Sequence, residues 1–124
     1  MGDWSYEPWG NDEAADWFGK FWKNGKFIVL IDEIENFDER EERYDSLRAA
    51  AYLLQTLGVV YIWPVEYLNK LKPLLDKTII ILNNMINPPD ENWAYLEMGG
   101  DKEKLMQAVK EQIDILKERR KDII

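Results

Sequence analysis

The chain of 124 residues has no cysteine and no histidine. The first absence excludes disulfides, thiolate metal sites and cysteine nucleophiles, and it suits a reducing compartment. The second removes the usual general base, the commonest zinc ligand and the switch that titrates near neutral pH. Serine–histidine and cysteine–histidine nucleophile systems cannot be assembled from these residues. Long apolar runs are missing too. The longest, residues 27–31 and 79–82, fall far short of a bilayer span. The first residues are acidic, without a basic stretch leading into an apolar one, so no secretory leader is expected. Gly99-Gly100 lacks the following Lys-Ser or Lys-Thr of a phosphate loop.

What the chain does have is aromatic weight at its beginning. Trp4, Tyr6, Trp9, Trp17, Phe18, Phe21 and Trp22 all fall within the first 22 residues. Chain ends are usually polar and frayed, so such a segment is either packed or a binding surface. Ring burial carries a large gain, and Trp4 and Trp9 are expected to fold back onto Trp17, Phe21 and the body of the domain. The competing reading is a ring-stacking site for sugars or bases.

The acidic excess is uneven. Residues 1–45 hold thirteen Asp and Glu against five Lys and Arg, whereas residues 46–124 hold eleven of each. The whole net charge of −8 therefore belongs to the first third. Within it, Asp32, Glu33, Glu35, Asp38, Glu39, Glu41, Glu42 and Asp45 are matched by only two cations, Arg40 and Arg43. Such a field repels nucleic acid and anionic lipid and draws basic partners. Either the run is simply solvated, as charge runs usually are, or Asp32, Glu33, Glu35, Asp38, Glu39, Glu41 and Glu42 form the docking face for a basic protein.

Helical spacing dominates the remainder. Asn11 is placed to cap a helix over 12–23, with Asp12, Glu13 and Asp16 matched to its dipole. Residues 26–36 fit a helical stripe through Phe27, Leu30, Ile31 and Ile34, although their apolar run also reads as a buried strand. Tyr44, Leu47, Ala51, Leu54 and Leu57 predict a helix from about Glu41 to Leu57, with Gly58 as its stop. Residues 59–63 are a β-branched and aromatic connector. A helix over 64–86 carries Leu68, Leu71 and Leu75, then Ile79, Leu82 and Ile86, with a kink or break expected at Pro73. Residues 93–98 predict a short helical turn. Leu105, Val109, Ile113 and Leu116 predict a last helix over 102–121, acidic at its start and basic at its end. The expected fold is an all-α single domain of five or six helices; the alternative is mixed α/β with strands near 27–31 and 59–63.

The opening Gly2, Trp4, Pro8, Trp9, Asn11, Asp12, Ala14, Asp16 and Trp17 resembles the start of a widespread bacterial family of small all-helical domains of unknown function. Residues 49–58 and 92–99 are more weakly similar to it. The resemblance implies a compact helical domain and no chemistry, and the charge run at 32–45 and the isoleucine-rich 79–82 depart from it.

No catalytic, metal or cofactor residue set is specified. The reading favoured is a cytoplasmic, non-enzymatic binding protein, in its sharpest form an immunity-like protein that neutralises a basic toxin through its acidic face. No nucleic-acid or membrane partner is expected, and the oligomeric state is not readable. The alternative is an enzyme or small-ligand domain in which Asp12 and Asp16, or Asp32, Glu33 and Glu35, place a metal.

Overall fold

The computed structural model describes residues 5–24 and 27–123, apart from the side chains of Trp22 and Asn24. Trp4 and Gly25 lie outside the described residues. Those described form α1 (Asp12–Asn24), α2 (Phe27–Glu35), α3 (Tyr44–Leu57), α4 (Leu68–Ile86) and α5 (Lys102–Lys121), with single 3-10 turns at Glu39–Glu41, Val65–Tyr67 and Tyr95–Glu97. The domain is all-α. Neither 27–31 nor 59–63 is a strand: the first is α2, burying Leu30, Ile31 and Ile34 on one face, and the second is a tight turn.

The third helix is the centre of the molecule. Ala49, Ala50 and Ala51 are all fully buried. Successive helical residues point about 100° apart, so this helix is covered around most of its circumference. Alanine is the residue that lets neighbours come close on several sides. Helices α1, α2, α4 and α5 all pack against it.

Helix starts follow capping chemistry. Asn11 accepts the Ala14 amide at 2.8 Å, and Asp101 accepts the amides of Glu103 and Lys104 at 3.0 and 3.3 Å. Gly99 and Gly100, at φ 109° and 86°, turn the chain into that second cap through backbone conformations that side chains disfavour. Helix α3 does not begin at Glu41 as its spacing suggested. A 3-10 turn and a left-handed Glu42 (φ 57°) come first, and the start at Tyr44 has no side-chain cap of its own. The cap comes from α1: Glu13 Oε2 accepts the Ser46 amide at 2.6 Å and its hydroxyl at 2.9 Å.

Two expectations about the fourth helix are corrected. It begins at Leu68 and runs undivided through Pro73. That proline is exposed in the second turn, where the carbonyl it leaves unbonded belongs to exposed Asn69 and can meet water. Buried Leu71, Leu74 and Leu75 on either side hold the helix in place. Leu68, read as a core position, is exposed, because it stands at the mouth of the preceding turn.

The aromatic start is only partly folded inward. Trp17 and Phe21 are buried and stacked, with ring centroids 5.7 Å apart. Trp9, by contrast, stays 44% exposed and meets Tyr52 on α3 in an edge contact at 5.0 Å. The segment is anchored by its backbone and by Tyr6. The Tyr6 carbonyl accepts from Arg48, and its hydroxyl accepts the Asp101 amide at 3.2 Å. A methyl group on Gly10 would come within 2.8 Å of the Ser5 carbonyl oxygen, so this tight loop needs glycine there.

Candidate acidic cleft

Helix α2 and the chain leaving it surround a cleft of about 320 Å³, lined by Asp32, Glu33, Asp38, Glu41, Lys20 and Arg43, with Val29, Asn36 and Phe37. Four carboxylates thus meet two cations around a partly apolar floor. Positions two apart on a helix point to opposite sides, which separates Glu35 from Glu33. Glu35 turns to α4, where its carboxylate pairs with Lys70 at 2.9 Å and its carbonyl accepts from Lys77 at 2.7 Å.

Glu33 is the most deeply placed of the acids, its side chain 10% exposed. It receives the Arg43 guanidinium in two bonds, at 2.9 and 3.2 Å. Forked pairing of this kind fixes geometry as well as charge, and it holds the Arg43 guanidinium in its charged form above the ordinary arginine range. Asp38 is the cap of the 3-10 turn. It accepts the Arg40 side chain in two bonds and also the Arg40 amide, and these hold its carboxyl below the usual aspartate range. Asp32 and Glu41 are exposed and have no carboxylate partner among the described residues.

Glu39 and Glu42 do not line the cleft. The Glu39 carbonyl accepts the Tyr44 hydroxyl at 2.8 Å, and the same hydroxyl accepts the Ala94 amide at 3.1 Å. Tyr44 is buried, which pushes its phenol up, while the Ala94 bond acts in the opposite direction. This side chain ties the acidic turn to the core. Of the seven acids read as one face, four converge (Asp32, Glu33, Asp38 and Glu41) and three do not (Glu35, Glu39 and Glu42). Among the described residues no cluster of three carboxylates is arranged to hold a metal ion. Glu33 and Glu35, proposed as co-ligands, are turned to separate cations.

The polar feature that sequence reading missed is inside. Arg48 is 2% exposed. It donates to Gln112 Oε1 at 2.7 Å, the Tyr95 hydroxyl at 3.2 Å and the Tyr6 carbonyl at 2.9 Å. Gln112 in turn donates to Gln55 Oε1 at 2.7 Å and to the Arg48 carbonyl at 3.1 Å, and Arg119 donates to the Gln55 carbonyl at 2.6 Å. A signal was present. Arg48 and Gln55 are seven apart on α3, as are Gln112 and Arg119 on α5, so each pair returns to one face. The basic end of α5, read as dipole matching, also makes tertiary bonds: Arg120 pairs with Asp76 at 2.6 Å.

No family model, curated protein or solved structure matches this chain. No helix among the described residues is long and apolar enough to cross a membrane.

Proposed function

We propose that the chain is a non-enzymatic binding domain whose acidic cleft receives cationic side chains of a basic protein. Its sharpest form is an immunity-like protein that neutralises a basic toxin in the bacterial cytoplasm. The observation that carries this reading is the convergence of Asp32, Glu33, Asp38 and Glu41 around a cleft floored by Val29 and Phe37. Lysine and arginine have apolar stems and charged heads, and the cleft offers a surface to each part. Asp32 and Glu41, exposed at the rim and in no ion pair among the described residues, supply the charge. Carboxylates at such a rim speed encounter and set register, and their effect weakens as salt rises.

The test uses a short oligoarginine peptide as probe, followed by amide NMR. The expected perturbations cluster at Asp32, Asn36, Phe37 and Glu41 and fade with added salt. Asp32→Lys with Glu41→Lys removes them, whereas Glu39→Lys with Glu42→Lys retains most of the response. Equal losses from both pairs would reduce the cleft to a diffuse field and overturn the reading.

Half-exposed Trp9 supports a second reading. It lines a groove of about 190 Å³ with Pro8, Tyr52, Gln55 and Ile115, where a small planar or sugar-like ligand would stack. Quenching of Trp9 fluorescence by such ligands, absent in Trp9→Ala, would favour it over the acidic cleft.

A further inference from the structure

The groove beside Trp9 is built from three elements whose local spacing decides what it presents. The opening loop supplies Glu7 and Trp9 on either side of buried Pro8. That loop is held closed: the Gly10 carbonyl accepts the Ser5 amide at 3.1 Å, and the Glu7 carbonyl accepts the Gly10 amide at 3.0 Å. Helix α3 supplies Tyr52 and Gln55, three apart, and α5 supplies Ala108, Glu111 and Ile115, which return to one face at helical spacing. The Trp9 and Tyr52 rings meet at 66° with centroids 5.0 Å apart, so they form a corner and not a parallel platform. Glu7 and Glu111 are exposed and in no ion pair among the described residues; the Glu111 carboxylate accepts the Gln107 amide at 3.4 Å. No lysine or arginine lines the groove. The two arginines bonded to its residues, Arg48 to Gln112 and Arg119 to the Gln55 carbonyl, are not part of its lining.

We propose that this groove is a binding site for a quaternary ammonium group. The proposal rests on the second reading above only in taking the groove to be a ligand site, and it names a different ligand class. An aromatic ring attracts a cation within about 6 Å of its centre, because the ring's quadrupole places negative charge on its faces. Two rings at a steep angle bound a rounded group on two sides, whereas a flat base or a sugar can lie along only one of them. Glu7 and Glu111 add charge of the matching sign. A trimethylammonium head has no N–H to satisfy, so the apolar wall of Ala108 and Ile115 leaves none of its groups unpaired. A sugar needs neutral hydrogen-bonding partners, and the Gln112 amide is already engaged by Arg48 and Gln55. Size agrees as well. The groove's 190 Å³ is below the about 300–1,000 Å³ of pockets for drug-sized ligands, and it suits one head group.

Choline and its uncharged carbon isostere 3,3-dimethylbutanol, titrated separately into the full chain, test the proposal because they share a shape and differ by one charge. The readout is the Trp9 indole N–H resonance, assigned by its disappearance in Trp9→Ala, together with the amides of Glu111 and Ile115. Choline is expected to shift all three and to bind at least about tenfold more tightly than the isostere, on the order of 1.4 kcal/mol. Glu111→Lys is expected to abolish the response and Glu111→Gln to weaken it. Both lie on an exposed stretch of helix, and unchanged melting temperatures confirm their fold. Asp32→Lys with Glu41→Lys is expected to leave the response intact, which separates this site from the acidic cleft. Equal affinity for the two probes overturns the proposal, as does a choline response that survives Glu111→Lys. So does the absence of any response at about 10 mM choline, which would fill a millimolar site. If methyl glucoside or indole shifts Trp9 where choline does not, the groove remains a ring-stacking site and only the ammonium assignment falls. If none of them shifts it, both fall.

Discussion

Arg40 and Arg48 are eight residues apart and show how differently one side chain behaves in two parts of this molecule. Arg40 stands in the acidic turn, exposed, and forks onto Asp38. Arg48 is buried between α3 and α5 and is met by a glutamine, a tyrosine and a backbone carbonyl. In water the ion pair gains little, because solvent already stabilises both charges. In the interior a cation has nowhere else to go, so each acceptor around it becomes necessary. The acidic surface can therefore change without unfolding the protein, and the α3–α5 seam cannot.

The largest expected effect breaks the seam. Arg48→Ala leaves Gln112 and the Tyr6 and Tyr95 oxygens short of a donor, and it opens a void between two helices. A loss of about 3 kcal/mol or more is expected in urea unfolding. The Tyr6 segment should also loosen, read as faster hydrogen exchange at the Asp101 amide. By contrast Glu41→Lys on the acidic rim is expected to stay within about 0.5 kcal/mol of wild type. If the two substitutions cost the same, the contrast between seam and surface fails.

A smaller effect is expected where the acidic region and the interior meet. Glu13→Ala removes the side-chain cap at the start of α3 and strips a buried amide and hydroxyl of their acceptor. About 1–2 kcal/mol is expected, most of it at the first turn of α3. Glu13→Gln keeps an acceptor oxygen and should recover part of the loss. If both variants behave as wild type, the link between α1 and α3 is incidental.

The smallest effect concerns pH. The Asp38 carboxyl is lowered by the Arg40 side chain first and by the Arg40 amide second. The sign follows from linkage: its contribution is present above the ordinary aspartate range and is lost as pH falls through the lower folded value. Carbon-detected NMR should show Asp38 titrating below a model-peptide aspartate, moving back toward it in Arg40→Ala. Global stability should barely register that substitution, because Arg40 is largely exposed and water already stabilises its charge.

Much of the fold was legible, and α5 shows why. Its bounds and its stripe of Leu105, Val109, Ile113 and Leu116 depend on local spacing and on a cap, Asp101, two or three residues from the amides it serves. The start of α3 shows the opposite case, since its cap is 33 residues away on α1. At Pro73 a local rule marks a kink or a break; the break does not occur, because the packing of Leu71, Leu74 and Leu75 holds the helix together. The acidic face was legible as composition only. Glu33 and Glu35 are two apart in sequence, yet helical rotation sends one into the cleft and the other to Lys70. Trp9 escaped the expectation that early aromatics bury together: its loop is closed by the Ser5 amide on the Gly10 carbonyl and the Gly10 amide on the Glu7 carbonyl, and its half-exposed ring meets Tyr52.

What this chain determined on its own was periodicity, helix count, the location of its charge and the chemistries it cannot perform. These follow from residue identity and from contacts within a turn or two of helix. Which carboxylates share a cleft, which arginine is sealed inside and which apolar side chains remain in water were decided by tertiary packing. Each of those outcomes depends on surfaces that α1, α2, α4 and α5 bring together around α3, and no stretch of sequence contains them alone.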